Sequence, residues 1–295
     1  MSTTQAARLR ALLKAEQMVI APGAYDAITA RIIAQAGFPA VYMTGAGTAA
    51  SLGYPDFGLV TMTEMVANAA RIVRSIDVPL IADADTGYGN ELNVVRTVQE
   101  HERAGTSGIH IEDQVSPKKC GHLDNKEIVP REEFAAKIRA AVAARRDPDF
   151  LLIARTDSRA GAGLDEAIAR GNMALEAGAD MVFVEAPQTL EEIAAVPRLV
   201  RGPCLLNAVR GGKSPEINLL QAQAMGYRIA IVPGLMMKVV LWSCDAALAE
   251  LKRTHVHPVP AGDLTVRQVF NRFGADEWDT LRTRFRDAPP LKAAK

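Results

Sequence analysis

Residues 79–112 read PLIADADTGYGNELNVVRTVQEHERAGTSGIHIE, and the order of patterns within this stretch decides the fold. Pro79–Asp83 is a short apolar run that ends in an acid, and a glycine-rich turn follows it. Leu92–Arg103 then returns apolar residues at three- and four-residue intervals, as an amphipathic helix does. Gly108–Glu112 is apolar once more and again ends in an acid. A strand, a covering helix and a second strand in this order make one parallel β-α-β unit.

The same alternation extends in both directions. Met18–Ala21, Ala40–Thr44, Phe150–Arg155, Met181–Glu185, Cys204–Asn207 and Arg228–Val232 bring the strands to eight, and Ala24–Ala36, Thr63–Ser75, Arg131–Arg145 and Leu164–Ala177 have helical periodicity. Eight units in about 250 residues is the size of a (β/α)8 TIM-type barrel, whereas an open doubly wound sheet carries fewer strands. The expectation is a single barrel domain over residues 1–295, with 252–295 a helical C-terminal extension. The apolar segment Leu235–Leu251, the His255–Pro260 connection and the helical Val266–Phe270 and Trp278–Phe285 exceed the one helix that closes a barrel. This surplus either packs on its own barrel or docks on, or exchanges with, a neighbouring subunit.

Lys+Arg and Asp+Glu are both 34, so the balanced charge gives no footprint for nucleic acid or a membrane surface. Met1–Gln17 carries Arg8, Arg10 and Lys14 and lacks the apolar core of a signal peptide, and no run is long enough to span a bilayer. Three cysteines in unlike settings argue against a disulfide framework, which fits a cytoplasmic location. Cys204 and Cys244 sit in apolar patterns and are expected in the core.

In a TIM-type barrel the chemistry lies at the carboxyl ends of the strands. Those ends are polar here: Tyr42 and Thr44-Gly45-Ala46-Gly47, then Asp83 and Asp85, His110 and Glu112, Arg155 to Asp157, Glu185, and Asn207. Asp83 and Asp85 share one face of an extended chain, and Glu112 approaches from the next strand. Three such acids without His or Cys at ligand spacing either hold a hard cation, magnesium or manganese, or pair with Arg155 and cap helices. The segment at Thr44–Gly47 offers backbone N–H groups to an anion or makes a plain turn.

His110 is either a site residue or a hydrogen-bonded core residue. Gln114–Pro130 is a long polar loop of the kind that forms lids, and within it Cys120 is flanked by Lys118, Lys119 and His122. That charge is too costly to bury around an ordinary core thiol, so Cys120 is either reactive or incidentally exposed. Asn207–Pro215 leads towards a helix with Ser214 as expected N-cap and Pro215 in its first turn.

Asp83-Ala84-Asp85-Thr86-Gly87-Tyr88-Gly89, Ile111-Glu112-Asp113-Gln114, Pro117-Lys118-Lys119-Cys120-Gly121-His122, Ala154-Arg155-Thr156-Asp157 and Val184-Glu185-Ala186 resemble the isocitrate lyase and phosphoenolpyruvate mutase superfamily, from about Leu9 to Leu251. The Lys-Lys-Cys-Gly-His segment resembles its lyase branch. The resemblance implies a magnesium-dependent lyase acting on 2-hydroxy di- or tricarboxylates of the 2-methylisocitrate or 2-alkylmalate type, usually a homotetramer with exchanged C-terminal helices. It implies that Asp83 and Asp85 hold the metal directly or through water, with Glu112 in the outer shell and Asp56 nearby. Tyr42, Thr44, Gly45, Ala46 and Arg155 would hold the keto-acid portion, Cys120 would be the general acid, and Tyr42 and a metal-bound water are among the candidate bases. His110, Gly121, His122, Glu185 and Asn207 would complete the site. Where dedicated methylisocitrate lyases carry Asn-x-Thr-Glu-Phe-Gly, this chain reads Asn207-Ala208-Val209-Arg210-Gly211-Gly212, with Arg210 in place of the Glu common in broader relatives. Arg210 either meets an additional substrate carboxylate or is a solvated surface change. Oxaloacetate cleavage, phosphonate mutase chemistry and a non-catalytic binding role on the same barrel are the alternatives.

Overall fold

The computed structural model describes residues 3–259 and 262–286; Pro260 at the end of the expected connection, Ala261, and residues 287–295 of the expected extension lie outside the described residues. Helix α1 (Gln5–Lys14) precedes β1 (Val19–Ala24), α2 (Ala27–Gln35), β2 (Val41–Met43), α3 (Gly45–Ser51), α4 (Met62–Val73) and β3 (Leu80–Asp83). The chain continues through α5 (Glu91–Ala104), β4 (Gly108–Glu112), α6 (Arg131–Ala144), β5 (Leu151–Thr156), α7 (Arg159–Ala162), α8 (Leu164–Glu176) and β6 (Met181–Val184). Then come α9 (Leu190–Leu199), β7 (Cys204–Asn207), α10 (Leu219–Met225), β8 (Ile229–Val232), α11 (Leu235–Thr254), α12 (Val266–Asn271) and α13 (Ala275–Arg286).

The strands close in chain order into one parallel barrel, and β1 returns to β8 in register from Val19 opposite Ile229 to Pro22 opposite Val232. This is the (β/α)8 barrel with added C-terminal helices that the periodicity predicts. By packing, the chain forms two compact units, Met1–Val240 and Leu241–Lys295.

Strand alternation sorts the core. Ala21, Ile81, Leu151, Ile153, Phe183, Leu205 and Ile231 pack in one cluster, with Leu9, Leu12 and Leu13 of α1 against it. Their sequence neighbours Leu80, Ala82 and Leu152 belong instead to the cluster shared with the helices, as do Ile109 and Ile111 of β4. A parallel strand buried on both faces is therefore apolar almost throughout, and its polar residues stand out. Asp83, Asp85, Arg155, Glu185 and Asn207 continue the every-second-residue register of the inner cluster, so the strands aim them into the barrel mouth.

Turn chemistry supports this frame. Asp26, Thr61 and Asn90 cap α2, α4 and α5 with reciprocal capping boxes, and Gly105 ends α5 at φ 84°. Two expectations are corrected. Ser214 is not a helix N-cap: α10 begins at Leu219, where Asn218 accepts from the Leu220 N–H. Cys244 is exposed and not in the core, because its apolar helix α11 buries none of its residues. Cys204 is buried as expected.

Where β1 meets the chain leaving β8, only glycine fits. A Cβ on Gly23 would stand 2.4 Å from the Pro233 carbonyl oxygen and 2.5 Å from its Cα, both backbone atoms. Gly23→Ala should therefore destabilise the barrel by about 1–3 kcal/mol through overpacking, read as a lower urea midpoint. An unchanged midpoint would mean that this seam yields.

Candidate active site

The barrel mouth holds a cavity of about 200 Å³. Tyr42, Thr44 and Ala46 from the end of β2, Asp56 from the following loop, and Asp83 from β3 line one side. Arg155, Glu185 and Asn207, from the ends of β5, β6 and β7, line the other, and Cys120, Gly121 and His122 of the long loop cover them. Gly45, Asp85, His110 and Glu112 are buried behind this wall. A second cavity of similar volume, walled by Ile193, Leu206, Ile217 and Leu219, shares Asn207, Val209 and Arg210 with the first and lacks its titratable cluster.

Arg155 organises the far wall. Its Nη1 lies 3.0 Å from Glu112, its Nε 2.9 Å from Asp157 and its Nη2 3.4 Å from Glu185. Burial works against the guanidinium charge, but Asp157, Glu112 and Glu185 outweigh it and hold Arg155 firmly protonated. Glu185 is held down at about 2 because Arg155 and His122 overcome the effect of burial. Asn207 adds hydrogen bonds of 3.2 and 3.1 Å to its two oxygens.

On the near wall, Asp83 Oδ2 accepts from the Tyr42 hydroxyl at 3.3 Å and the Gly45 N–H at 3.2 Å, while Oδ1 accepts from the Asp85 N–H at 3.0 Å. Burial opposes its ionisation, and His110, Lys118, Arg155 and the Asp85 N–H outweigh burial, so Asp83 lies below the usual carboxylate range. Burial pushes His110 down to about 4, so the ring is neutral. Its Nε2 is 2.9 Å from the Tyr42 oxygen, and its Nδ1 has no partner. The hydrogen-bond network then assigns the ring proton to Nε2, which donates to Tyr42 as Tyr42 donates to Asp83. Burial and Asp83 raise the Tyr42 pKa well above its ordinary value, so the phenol keeps its proton.

The loop supplies one residue that spacing does not reveal as a site residue. Lys118 is buried, with Nζ 2.6 Å from Asp56 and 2.8 Å from Asp85. Burial nevertheless raises Asp85 to about 6 against the pull of Lys118, and raises Glu112 well above its ordinary value despite Arg155. Among the described residues, no three His, Cys, Asp or Glu side chains converge on one metal position. Asp85 Oδ1 and Glu112 Oε2 meet only the cations Lys118 and Arg155, at 2.8 and 3.0 Å, and Glu112 Oε1 is buried with no hydrogen-bond partner. This donor set fits a hard, hydrated divalent ion held by one or two carboxylates, with waters reaching the others.

Cys120 is half-buried, and burial raises its pKa, so the thiol is neutral and has a proton to give. His122 Nε2 lies 3.0 Å from Glu185, while its Nδ1 accepts from the Lys213 N–H at 2.9 Å. Gly121 passes so close that an added Cβ would sit 2.5 Å from Arg155 Nη2. Arg210 reaches the cavity rim, yet its side chain is 85% exposed and pairs with Glu216 at 3.2 Å, so its charge faces solvent. Asp157 and Lys126, neither expected in the site, brace it from behind through a 2.9 Å ion pair. Asp157 was legible as a strand-end acid, whereas nothing local marks Lys126.

Residues 9–252 match the family described as phosphoenolpyruvate phosphomutase. The chain is 53% identical over 229 residues to 2,3-dimethylmalate lyase of Eubacterium barkeri, covering 77% of this chain and 79% of the relative. It is 44% identical over 243 residues to 2-methylisocitrate lyase of Aeropyrum pernix, covering 82% and 78%. Its fold superposes on that of a phosphonopyruvate hydrolase complex with oxalate and Mg++ with a TM-score of 0.88 at 31% identity, covering 96% and 100% of the two chains. The barrel, the cavity and these likenesses together place the chain in the phosphoenolpyruvate mutase and isocitrate lyase superfamily.

Proposed function

We propose that the protein is a magnesium-dependent carbon-carbon lyase that cleaves a 2-alkylmalate of the 2,3-dimethylmalate type into pyruvate and a carboxylate. The observation that carries this reading is the Cys120 thiol, neutral and folded over a cavity that Arg155 also lines. The charge count supports a dicarboxylate over a tricarboxylate: Arg155 and Lys238 line the cavity, while the Arg210 side chain is turned to Glu216 and solvent. The 53% identity to 2,3-dimethylmalate lyase agrees with that choice.

In the proposed reaction, the substrate's 2-hydroxyl proton passes to a water in the cavity, and C2 becomes a carbonyl as the C2–C3 bond breaks. The bonding pair passes to C3, where the adjoining carboxylate delocalises it. Cys120 delivers its proton to C3. Arg155 and the protonated Tyr42 hydroxyl orient the keto-acid oxygens and stabilise developing negative charge. Asp83 and Asp85, with Glu112 behind and Asp56 at the cavity wall, would hold the divalent ion, which when bound supplies Lewis-acid stabilisation of the substrate oxygens. The covering loop excludes water while the carbanion exists.

We also propose that the protein assembles as a homotetramer through its C-terminal segment. In the second compact unit, Trp242, Leu248, Val266, Phe270, Trp278 and Phe285 are exposed, more apolar surface than one chain leaves to water without a partner. No helix among the described residues is long and apolar enough to cross a membrane. We propose a cytoplasmic location, in keeping with three free cysteines.

With magnesium present, 2,3-dimethylmalate should release pyruvate with a higher kcat/KM than 2-methylisocitrate, measured in a lactate dehydrogenase-coupled assay. Chelation should abolish turnover, and magnesium or manganese should restore it. Turnover of phosphonopyruvate alone would overturn the reading.

Cys120→Ser replaces the thiol with a far weaker acid of similar size. Its kcat should fall by about 10²-fold or more while KM changes little. Near-normal kcat would remove Cys120 from the proton-transfer step.

The intact chain should sediment as a tetramer at micromolar concentration, and truncation after Leu251 should lower the mass. A monomeric intact chain would refute the assembly.

A further inference from the structure

Two buried side chains grip the covering loop on either side of its thiol. The loop leaves β4 and returns to α6 through a narrow neck, where Gln114 bridges Ile128 antiparallel and the Val115 N–H donates to Glu127 at 2.9 Å. Beyond the neck, Val115 and Leu123 are exposed, so the loop has little apolar packing to fix its shape. Its geometry rests on polar contacts, and two of these bracket Cys120.

On one side, Gln114 Nε2 donates to the Lys119 carbonyl at 2.8 Å, and its Oε1 accepts from the Lys119 N–H at 3.0 Å. A carboxamide that pairs with both polar groups of one residue fixes that residue as a neighbouring strand would. On the other side, the ammonium of Lys126 donates to the Gly121 carbonyl and, at 2.9 Å, to Asp157 Oδ1. Asp157 in turn holds Arg155. Between these grips, the Cys120 N–H donates to the Asp56 carbonyl at 3.1 Å.

We propose that Gln114 and Lys126 are positioning residues, one on each stem of the loop, that hold residues 119 and 121 and so set the Cys120 thiol over the cavity. The inference rests on Cys120 being the proton donor of the proposed lyase reaction. Lys126 has a further consequence, because its partner Asp157 also fixes Arg155. Loop closure and the orientation of the anion-binding guanidinium thus share one ion-pair network. Neither residue lines the cavity, so substrate affinity should depend on them less than proton delivery does.

The test compares Gln114→Ala, Gln114→Glu, Lys126→Met and Lys126→Arg, each built on Cys244→Ser so that the exposed thiol does not react; Cys204 is buried. A misplacement of about 1 Å at a reacting group can cost about 10²-fold in rate. Gln114→Ala and Lys126→Met should therefore lower kcat by about 10- to 100-fold with KM shifted by less than about threefold. Iodoacetamide should alkylate their Cys120 several times faster than in the parent, because thiol reactivity follows access. Lys126→Arg, which can still donate to both oxygens, should recover much of the lost kcat and the slow alkylation. Gln114→Glu, which keeps the acceptor and the size, should fold normally and fall between parent and Gln114→Ala. Unchanged kcat and alkylation in Gln114→Ala and Lys126→Met would overturn the proposal. So would losses that follow melting temperature alone and that Lys126→Arg fails to rescue. If the parent turns over no hydroxy acid, the lyase reading fails instead, and the alkylation rates still decide whether these residues hold the loop.

Discussion

The Arg155 guanidinium is the interaction on which the rest of the barrel mouth depends. It sits at the inward-facing end of β5 with Glu112, Asp157 and Glu185 around it and the Phe183 ring 5.1 Å from its carbon. Three acids, Asp157 at the end of its own strand and Glu112 and Glu185 from the strands on either side, could not remain buried together without it. Breaking such a buried set typically costs about 3–5 kcal/mol, because the remaining charge is left uncompensated. The cluster is therefore rigid by necessity, and it leaves the guanidinium facing a cavity that Asp56, Asp83 and Glu185 also line.

That rigidity makes the loop the adjustable part. Gly121 fits against Arg155 only because it has no side chain, His122 reaches Glu185, and Lys118 crosses to the acids at Asp56 and Asp85. The loop thus closes mainly through charge and hydrogen bonds and less through apolar burial. Such contacts form and break without rebuilding a core, which would suit the lid of the proposed lyase reaction. The backbone of Gly212 and Lys213 meets His122 from the β7 side, so the chain after β7 takes part in the same closure.

The acid side of the cavity works by a different rule. Asp83 is ionised because donors converge on it, whereas Asp85 and Glu112 are held towards the protonated form by burial. Carboxylates so unlike in neighbouring positions divide the work: one anchors the hydrogen-bonded Tyr42, and the others wait for additional positive charge. A hydrated divalent ion meets that need without demanding that all the acids reach it directly.

The sequence by itself determined the barrel, the order of its strands and which strand-end residues point inward, because a period of two in a strand is a local property. It therefore marked Tyr42, Asp83, Arg155, Glu185 and Asn207 without knowledge of their partners. It also singled out the loop around Cys120, through the cost of burying so much charge beside a thiol. Only the tertiary structure decided that Lys118 joins Asp56 to Asp85, that Arg210 turns outward to Glu216, and that Cys244 lies on an exposed helix face. It also decided that Gln114 and Lys126 grip the chain on both sides of Cys120. These outcomes depend on contacts between distant segments, Lys118 with Asp56 being 62 residues apart. A loop without repeating periodicity carries no local signal of where its side chains will meet the rest of the fold.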